Sequence, residues 1–428
     1  MTKLFWVAIA GIVLSFEFPV KGDAGVLPSA VGAGRFSLKA SNQTALYRHD
    51  EIISLDVAQL QKKYPSFNPR SFMVTYKGEE LPSQFDSSRS LHSSGSILIL
   101  SSFAPRQTKT LKVSWPVERS VVHHFHKMAQ ATIGVKVDYT KTNGYYTGGR
   151  FVDVDSTTVP KDHFAHDALY RMEGPGWESD RIAYRFYLDS RNRNDIFGKR
   201  VKRLVLKELG EKDLVSNSME SYTRMLDWGM DIFKVGESLG IGSIAMWHDS
   251  KVETVSDVRR IRCEVSEDGP ILAGIRTTYL GWNIGGDLFD MESHLSIGAG
   301  SRLTSVVVDL HGRPVDLCTG LAKHDSCEFI RSTSRARGGW SYIGVYGKQS
   351  LAGDNLGTAV FFRSENAVSM AEDSLSWIVV LKPENGRLNY LFAAAWEKEP
   401  GGIRNVREFR RYLRETEIKL ETPIVISF

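Results

Sequence analysis

Residues 174–189 read Gly174-Pro175-Gly176-Trp177-Glu178-Ser179-Asp180-Arg181-Ile182-Ala183-Tyr184-Arg185-Phe186-Tyr187-Leu188-Asp189. Gly-Pro-Gly forces a turn, because proline fixes one dihedral and glycine tolerates the rest. Beyond it the side chains alternate. Ile182, Tyr184, Phe186 and Leu188 make an apolar face, while Arg181, Ala183, Arg185, Tyr187 and Asp189 point the other way. A period of two marks a half-buried strand.

The same grammar extends outward in both directions. Leu111, Val113 and Trp115 alternate with Lys112 and Ser114, and further strands are expected at 72–76, 96–100, 304–309, 342–346, 358–362, 377–381 and 389–396. Glycine pairs punctuate them: Gly298 and Gly300, Gly338 and Gly339, Gly401 and Gly402. Helices are few, one at 56–63 and one near the end, where Val406, Phe409 and Leu413 share a face. The expected fold is all-β, with a small N-terminal β-sandwich or barrel over 25–117 and a large antiparallel β-supersandwich over 118–428.

Composition narrows the function. The chain has 428 residues and a net charge of +4, which gives no electrostatic case for nucleic-acid binding. Three cysteines exclude a disulfide scaffold. Cys318 and Cys327 could close a short loop if oxidised, and Cys263 reads as a buried small hydrophobe. Residues 1–24 read as a secretory signal: Lys3, an apolar run from Leu4 to Phe16, then small residues at Gly22 and Ala24. Export to a periplasm or beyond is expected, with no stable membrane insertion afterwards.

Candidate chemistry concentrates in 163–195. Arginine matches a carboxylate with two parallel donors, so Arg181 and Arg185 are candidates to hold a sugar acid. Elimination from a uronic acid needs that neutralisation, a base for the C5 proton and an acid for the leaving oxygen. Tyr187, His163 and His248 are candidates for base or acid. Glu173 and Glu178 are the pair a hydrolase would use. Trp177, Asp180, Trp228, Asp231, Trp247 and His294 are candidate substrate contacts, the tryptophans as stacking platforms.

Other readings are weaker. Residues 236–242 lack the Gly-Lys-Ser/Thr ending of a phosphate loop. No Gly-x-Ser-x-Gly elbow occurs. His124 and His126 share a strand face without a third ligand. No cofactor is expected, although Asp287, Asp290 and Glu292 offer oxygens to a cation such as calcium. The partner expected is a poly- or oligosaccharide containing uronic acid, and the activity a polysaccharide lyase. Glycoside hydrolysis, non-catalytic sugar binding and mutarotase-type epimerisation are the alternatives.

Two stretches carry a family resemblance. Glu173 through Arg181, continuing to Asp189 and to Asp195-Ile196-Phe197-Gly198, resembles the bacterial domain-of-unknown-function family 4861. Trp228 to Asp231 with Lys234 to Gly242 is similar to the same family's second motif. The resemblance spans roughly residues 40–425. It implies a galactose-mutarotase-like supersandwich, and polysaccharide-degradation gene clusters that also encode unsaturated glucuronyl hydrolases. Residues 48–51 and 78–82 are similar to the N-terminal β domain of exo-rhamnogalacturonan-lyase-like proteins. No catalytic assignment transfers with it.

Overall fold

The computed structural model describes residues 34–88, 95–116, 120–209, 222–332 and 339–428. The expected signal segment, the boundary near residue 118 and the turn at Gly338 lie outside them. The architecture is all-β and antiparallel.

A nine-stranded sheet dominates. In spatial order its strands are Ser156–Thr158, Val258–Asp268, Leu272–Ile284, Asp287–Gly298, Leu303–His311, Arg387–Trp396, Leu356–Arg363, Trp340–Gly347 and Glu328–Arg331. Alternation assigns its two faces. Ile275, Tyr279, Met291, Leu295, Val306, Val308, Tyr390 and Phe392 point inward to the main core. Two five-stranded sheets contribute to that core from the other side, one containing Gly176–Ser179, Ile182–Phe186 and Asn194–Lys199, the other containing Ala245–His248, Leu317–Ala322 and Ser376–Leu381. This is the expected supersandwich.

The outward face is covered in two places. The helix Val406–Glu421 starts at the cap Asn405, whose side chain accepts from the Glu408 amide. It presses Phe409 and Leu413 onto Tyr346, Phe361, Ala393 and Ala395. Gly357 makes the approach possible, since a β-carbon there would lie 2.4 Å from the Phe409 ring. At the other end sits the N-terminal unit, built from Gly34–Ser41, Arg48–Asp56, Val57–Lys63, Met73–Tyr76, Ser83–Asp86, Ser96–Phe103 and Thr108–Trp115. Its Gln84 side chain accepts from the amides of Ile271 and Leu272, both at 3.0 Å. Leu98 and Leu100 pack on Ile271, Leu272 and Ala299.

The small unit is not one continuous segment. The last strand, Val425–Ser427, pairs with Gly34–Ser41, so the chain ends inside the N-terminal sheet. Arg48 donates to the Thr422 and Lys419 carbonyls, satisfying the end of the last helix. Cys263, Cys318 and Cys327 are free thiols, so no loop is closed between the last two.

Phe409→Ala should lower unfolding free energy by about 3–5 kcal/mol, the usual cost of emptying a buried phenylalanine site. Denaturant titration checks this. A change under about 1 kcal/mol would mean the helix does not anchor the sheet.

Candidate functional site

The Gly-Pro-Gly turn stands where it was expected, and the strand Ile182–Phe186 follows it. The alternation also holds: Ile182, Tyr184 and Phe186 enter the main core. The opposite face, however, is not a ligand surface. Ala183 and Phe197 are roofed by Met172, Val205, Leu206, Leu209, Tyr222 and Trp228. Arg185 lies beneath that roof, 4% exposed.

Arg185 is engaged by protein groups through Nε and Nη2, while Nη1 is buried without a hydrogen-bond partner among the described residues. Its cross-strand partner is Asp195, to which Nε and Nη2 donate at 2.9 and 2.6 Å. Nη2 also donates to Asp231 at 2.5 Å and to the Tyr187 hydroxyl at 2.9 Å. Glu173 lies 3.5 Å from Nη1. Glu173 in turn takes Arg191 at 2.6 Å and the exposed His166 at 2.7 Å, and Arg191 also binds Asp189. Burial alone would depress the Arg185 guanidinium, yet Asp231, Tyr187 and Asp195 outweigh it and hold the charge on.

Several sequence assignments need correction. Arg185 is not placed to meet a sugar acid, because it is buried beneath the roof and its Nε and Nη2 already donate to Asp195 and Asp231. Arg181 sits outside this network, where its charge acts on Glu399 and Tyr412. The two arginines do not converge. Tyr187 is no base: burial and the neighbouring Asp195 push its hydroxyl up, and that hydroxyl donates to Asp195 at 2.5 Å. Glu178 is wholly buried. It pairs with Lys199 at 2.7 Å and accepts from the Val205 and Leu206 amides, which is a structural role. Trp177 is wholly buried and donates to Thr304, so it stacks on no sugar. Trp228 lies in the roof cluster. Asp180 caps the Gly300 amide. His163 is buried against Asp167 at 2.7 Å. His248 and Trp247 are half-buried on the five-stranded sheet that carries Ala245–His248. Glu173 and Asp231 join the Arg185 network but face protein partners there.

His294 has a different setting. It projects from Asp287–Gly298 onto the outward face of the nine-stranded sheet, between the two covers. There Arg276, Glu292, His294, Val307, Asp309 and Arg387 line an open cleft of about 210 Å³, with Ser88 of the N-terminal unit at its rim. The register explains the convergence. Arg276 pairs with His294, His294 with Val307, Glu292 with Asp309, and Asp309 with Arg387. Partners directly opposite share a face, so four strands deliver these side chains to one place.

Behind the cleft lies a buried polar chain. His294 Nε2 is 3.0 Å from Glu267 and 2.8 Å from the Ser266 hydroxyl, which donates to Glu267 at 2.7 Å. Gly274 makes room, since a β-carbon there would come within 2.5 Å of Glu267 and 3.0 Å of His294. Asp86 reaches Glu267 from the N-terminal unit. Burial pushes the Glu267 carboxyl up, but His294 and Ser266 outweigh this and hold it below its ordinary range. Burial and then Glu267 push Asp86 up, against hydrogen bonds from Ser88. His294 Nε2 faces the Glu267 carboxylate and the Ser266 hydroxyl, whereas Nδ1 is buried. Nδ1 has no hydrogen-bond partner among the described residues.

Arg276 is one-quarter exposed and lies 3.1 Å from Glu264, 3.4 Å from Glu292 and 2.6 Å from the Ser88 carbonyl. Arg387 is more open and faces both Asp309 oxygens at 3.1 Å. Sequence reading found His294 but missed Asp86, Glu267, Arg276, Asp309 and Arg387. Their signal was the polar half of each alternating strand. Asp287 and Asp290, offered as calcium ligands with Glu292, are engaged by Arg313 and the Gly281 amide. Among the described residues no group of three acidic, histidine or cysteine side chains is placed to hold a metal.

Residues 40–426 match the model of a family described as domain of unknown function (DUF4861). The chain belongs to that family. No curated protein matches it. Among solved structures, this family member is similar to an α-mannosidase from Enterococcus faecalis V583, with 7% identity and a TM-score of 0.44 over 92% of this chain and 46% of that one. A glycosyl hydrolase family 38 protein from Enterococcus faecalis gives 7% and 0.43, over 91% and 47%. A kojibiose phosphorylase assigned from the human microbiome gives 10% and 0.27, over 41% and 24%. The chain spans about half the length of the first two.

Two predictions follow from the buried network. Arg185→Ala strands Asp195 and Asp231 without their cation, so it should cost about 3–5 kcal/mol of stability. Denaturation of the purified variant tests this, and an unchanged midpoint would refute it. Burial pushes the Asp231 carboxyl up to about 7, with Asp195 repelling and Arg185 opposing. The native state then holds this proton more tightly than the unfolded chain. The stabilisation is complete below about pH 4 and drains away as pH rises toward 7. Asp231→Asn should flatten that decline, and parallel slopes for variant and parent between pH 4 and 8 would exclude it.

Proposed function

We propose that this protein is a carbohydrate-active enzyme that cleaves uronate-containing saccharides by β-elimination in the cleft of the nine-stranded sheet. One observation carries the reading. His294, whose Nδ1 is buried without a hydrogen-bond partner, is backed by the Glu267 carboxylate and lies beside the guanidinium of Arg276 in the lining of an open cleft. Elimination needs those parts. Arg276 and Arg387 would neutralise the sugar carboxylate, sharing it with or exchanging it for Glu292 and Asp309. His294, the titratable ring lining the cleft, would take the C5 proton, while Glu267 steadies the resulting imidazolium. The C5–H electrons form the C4=C5 bond, the C4–O bond breaks, and water in the open cleft protonates the leaving oxygen.

Glycoside hydrolysis is a second reading with its own observation. Glu292 and Asp309 are direct cross-strand partners that both line the cleft, and β-carbons so placed lie about 4.5–5.5 Å apart.

Incubation with pectic, alginate, ulvan and glycosaminoglycan fragments separates the two. Rising ultraviolet absorbance of a C4=C5 double bond is the expected result, and new reducing ends without it favour hydrolysis. His294→Gln, which keeps a donor for the buried Glu267, should lower kcat about 100-fold or more with an unfolding midpoint nearer the parent's than that of His294→Ala. Wild-type turnover in the glutamine variant would end the assignment, and absence of both products on every substrate would end the enzymatic reading.

A further inference from the structure

The outward face of the same sheet holds a second hollow that nothing above uses. Thr158, Val159, Lys161, Arg259, Arg260 and Leu280 line an open groove of about 400 Å³. Three of the six carry positive charge and none carries negative charge. No ion pair or hydrogen bond with a described residue engages the side chains of Lys161, Arg259 or Arg260, whereas Arg276 and Arg387 in the cleft are both paired. Like charges gathered in one hollow repel, and no described residue offsets that repulsion.

The backbone sets up this gathering. The register of Leu272–Ile284 against Asp287–Gly298 slips between Tyr279 and Trp282. A bulge re-aims side chains that regular alternation would send to opposite faces. Gly281 sits there with φ +67, and a β-carbon on it would meet Arg259 at 3.3 Å. Arg259 and Arg260 lie on the neighbouring strand, in unbroken register with Leu280, and both line the groove. Leu280 and Val159 supply a half-buried apolar floor.

The groove and the cleft share two strands. Arg260 pairs with Leu280, and Glu264 pairs with Arg276, on the same face four residues further along. At about 3.3 Å per residue the two hollows are roughly 13 Å apart. Arg262 and Thr278 lie between them.

We propose that this groove is a docking subsite for the uronate chain of a polymeric substrate, held by Lys161, Arg259 and Arg260 while a neighbouring stretch of the same chain lies in the cleft. The assignment deepens the function proposed above and rests on it for the identity of the polymer. Regularly spaced carboxylates match the unpaired cations, and the apolar floor suits the C–H faces of the sugar rings between them.

The test measures binding of the full-length protein to immobilised polygalacturonate and alginate at low and physiological salt. The variant Lys161→Ser/Arg259→Ser/Arg260→Ser should raise Kd about tenfold and flatten its salt dependence, with the unfolding midpoint unchanged. Equal Kd for variant and parent overturns the subsite. So does binding of a neutral glycan as tight as the uronate chain, or retention on a sulfated glycan alone. Because the readout is binding, a chain that is held but not cleaved overturns the reaction proposed for the cleft and leaves the groove standing.

Discussion

A single buried guanidinium organises the motif-rich half of the molecule. Arg185 sits between two layers of side chains, where an unpaired charge would be prohibitive. Asp195 from the adjacent strand and Asp231 from the one beyond it make the position tolerable. Glu173 and Arg191 extend the network to the surface at His166. The turn geometry follows from the same demand. Glu173 adopts φ 63, and Gly174 lies so close to the Phe186 carbonyl that a β-carbon would sit 2.0 Å away. Residues 173–198 and 228–231 are thus bound together by one electrostatic constraint, which accounts for two dense polar motifs without any ligand.

That constraint moves the search for chemistry elsewhere. Paired, desolvated charges make good frameworks and poor binding sites, because a ligand would have to outcompete contacts already made at short range. The outward face of the nine-stranded sheet differs on both counts. Its arginines are partly solvated, their partners are exposed enough to exchange, and a histidine lines the cleft beside them. The likeness to mannosidase structures lends nothing to this choice. It rests on the register of four strands and on the charges they bring to one face.

Much of the fold was legible because alternation is a local property. The strand Ile182–Phe186, the turn before it and the C-terminal helix with Phe409 and Leu413 inward are all where periodicity put them. What periodicity cannot say is what covers the other face. Arg185 and Tyr187 do point away from Ile182 and Tyr184, but Leu206, Tyr222 and Trp228 close over that side. None of the three belongs to a strand, so no alternation announces them. The cleft was illegible for a related reason. Asp86, Glu267, Arg276, Asp309 and Arg387 come from five strands far apart in sequence, each an ordinary polar residue on a half-buried strand. Only register makes them neighbours. His294 stood out because histidine is rare, not because its partners were visible.

Domain docking and the cleft are one structural event. The N-terminal unit is fastened through Gln84 to the amides of Ile271 and Leu272, at the start of the strand that carries Gly274 and Arg276. Two residues further on, Asp86 meets Glu267, and Ser88 accepts from Arg276. Burial and the neighbouring Glu267 push the Asp86 carboxyl up, while His294 and Ser266 hold Glu267 below its ordinary range. The electrostatic setting of Glu267, the partner of His294, is therefore shaped partly by side chains from the other unit. A nine-stranded sheet alone would present His294 and Arg276, but with Glu267 open to water and without Asp86 beside it. The small domain supplies the rim of the cleft and also the electrostatic bias of its floor.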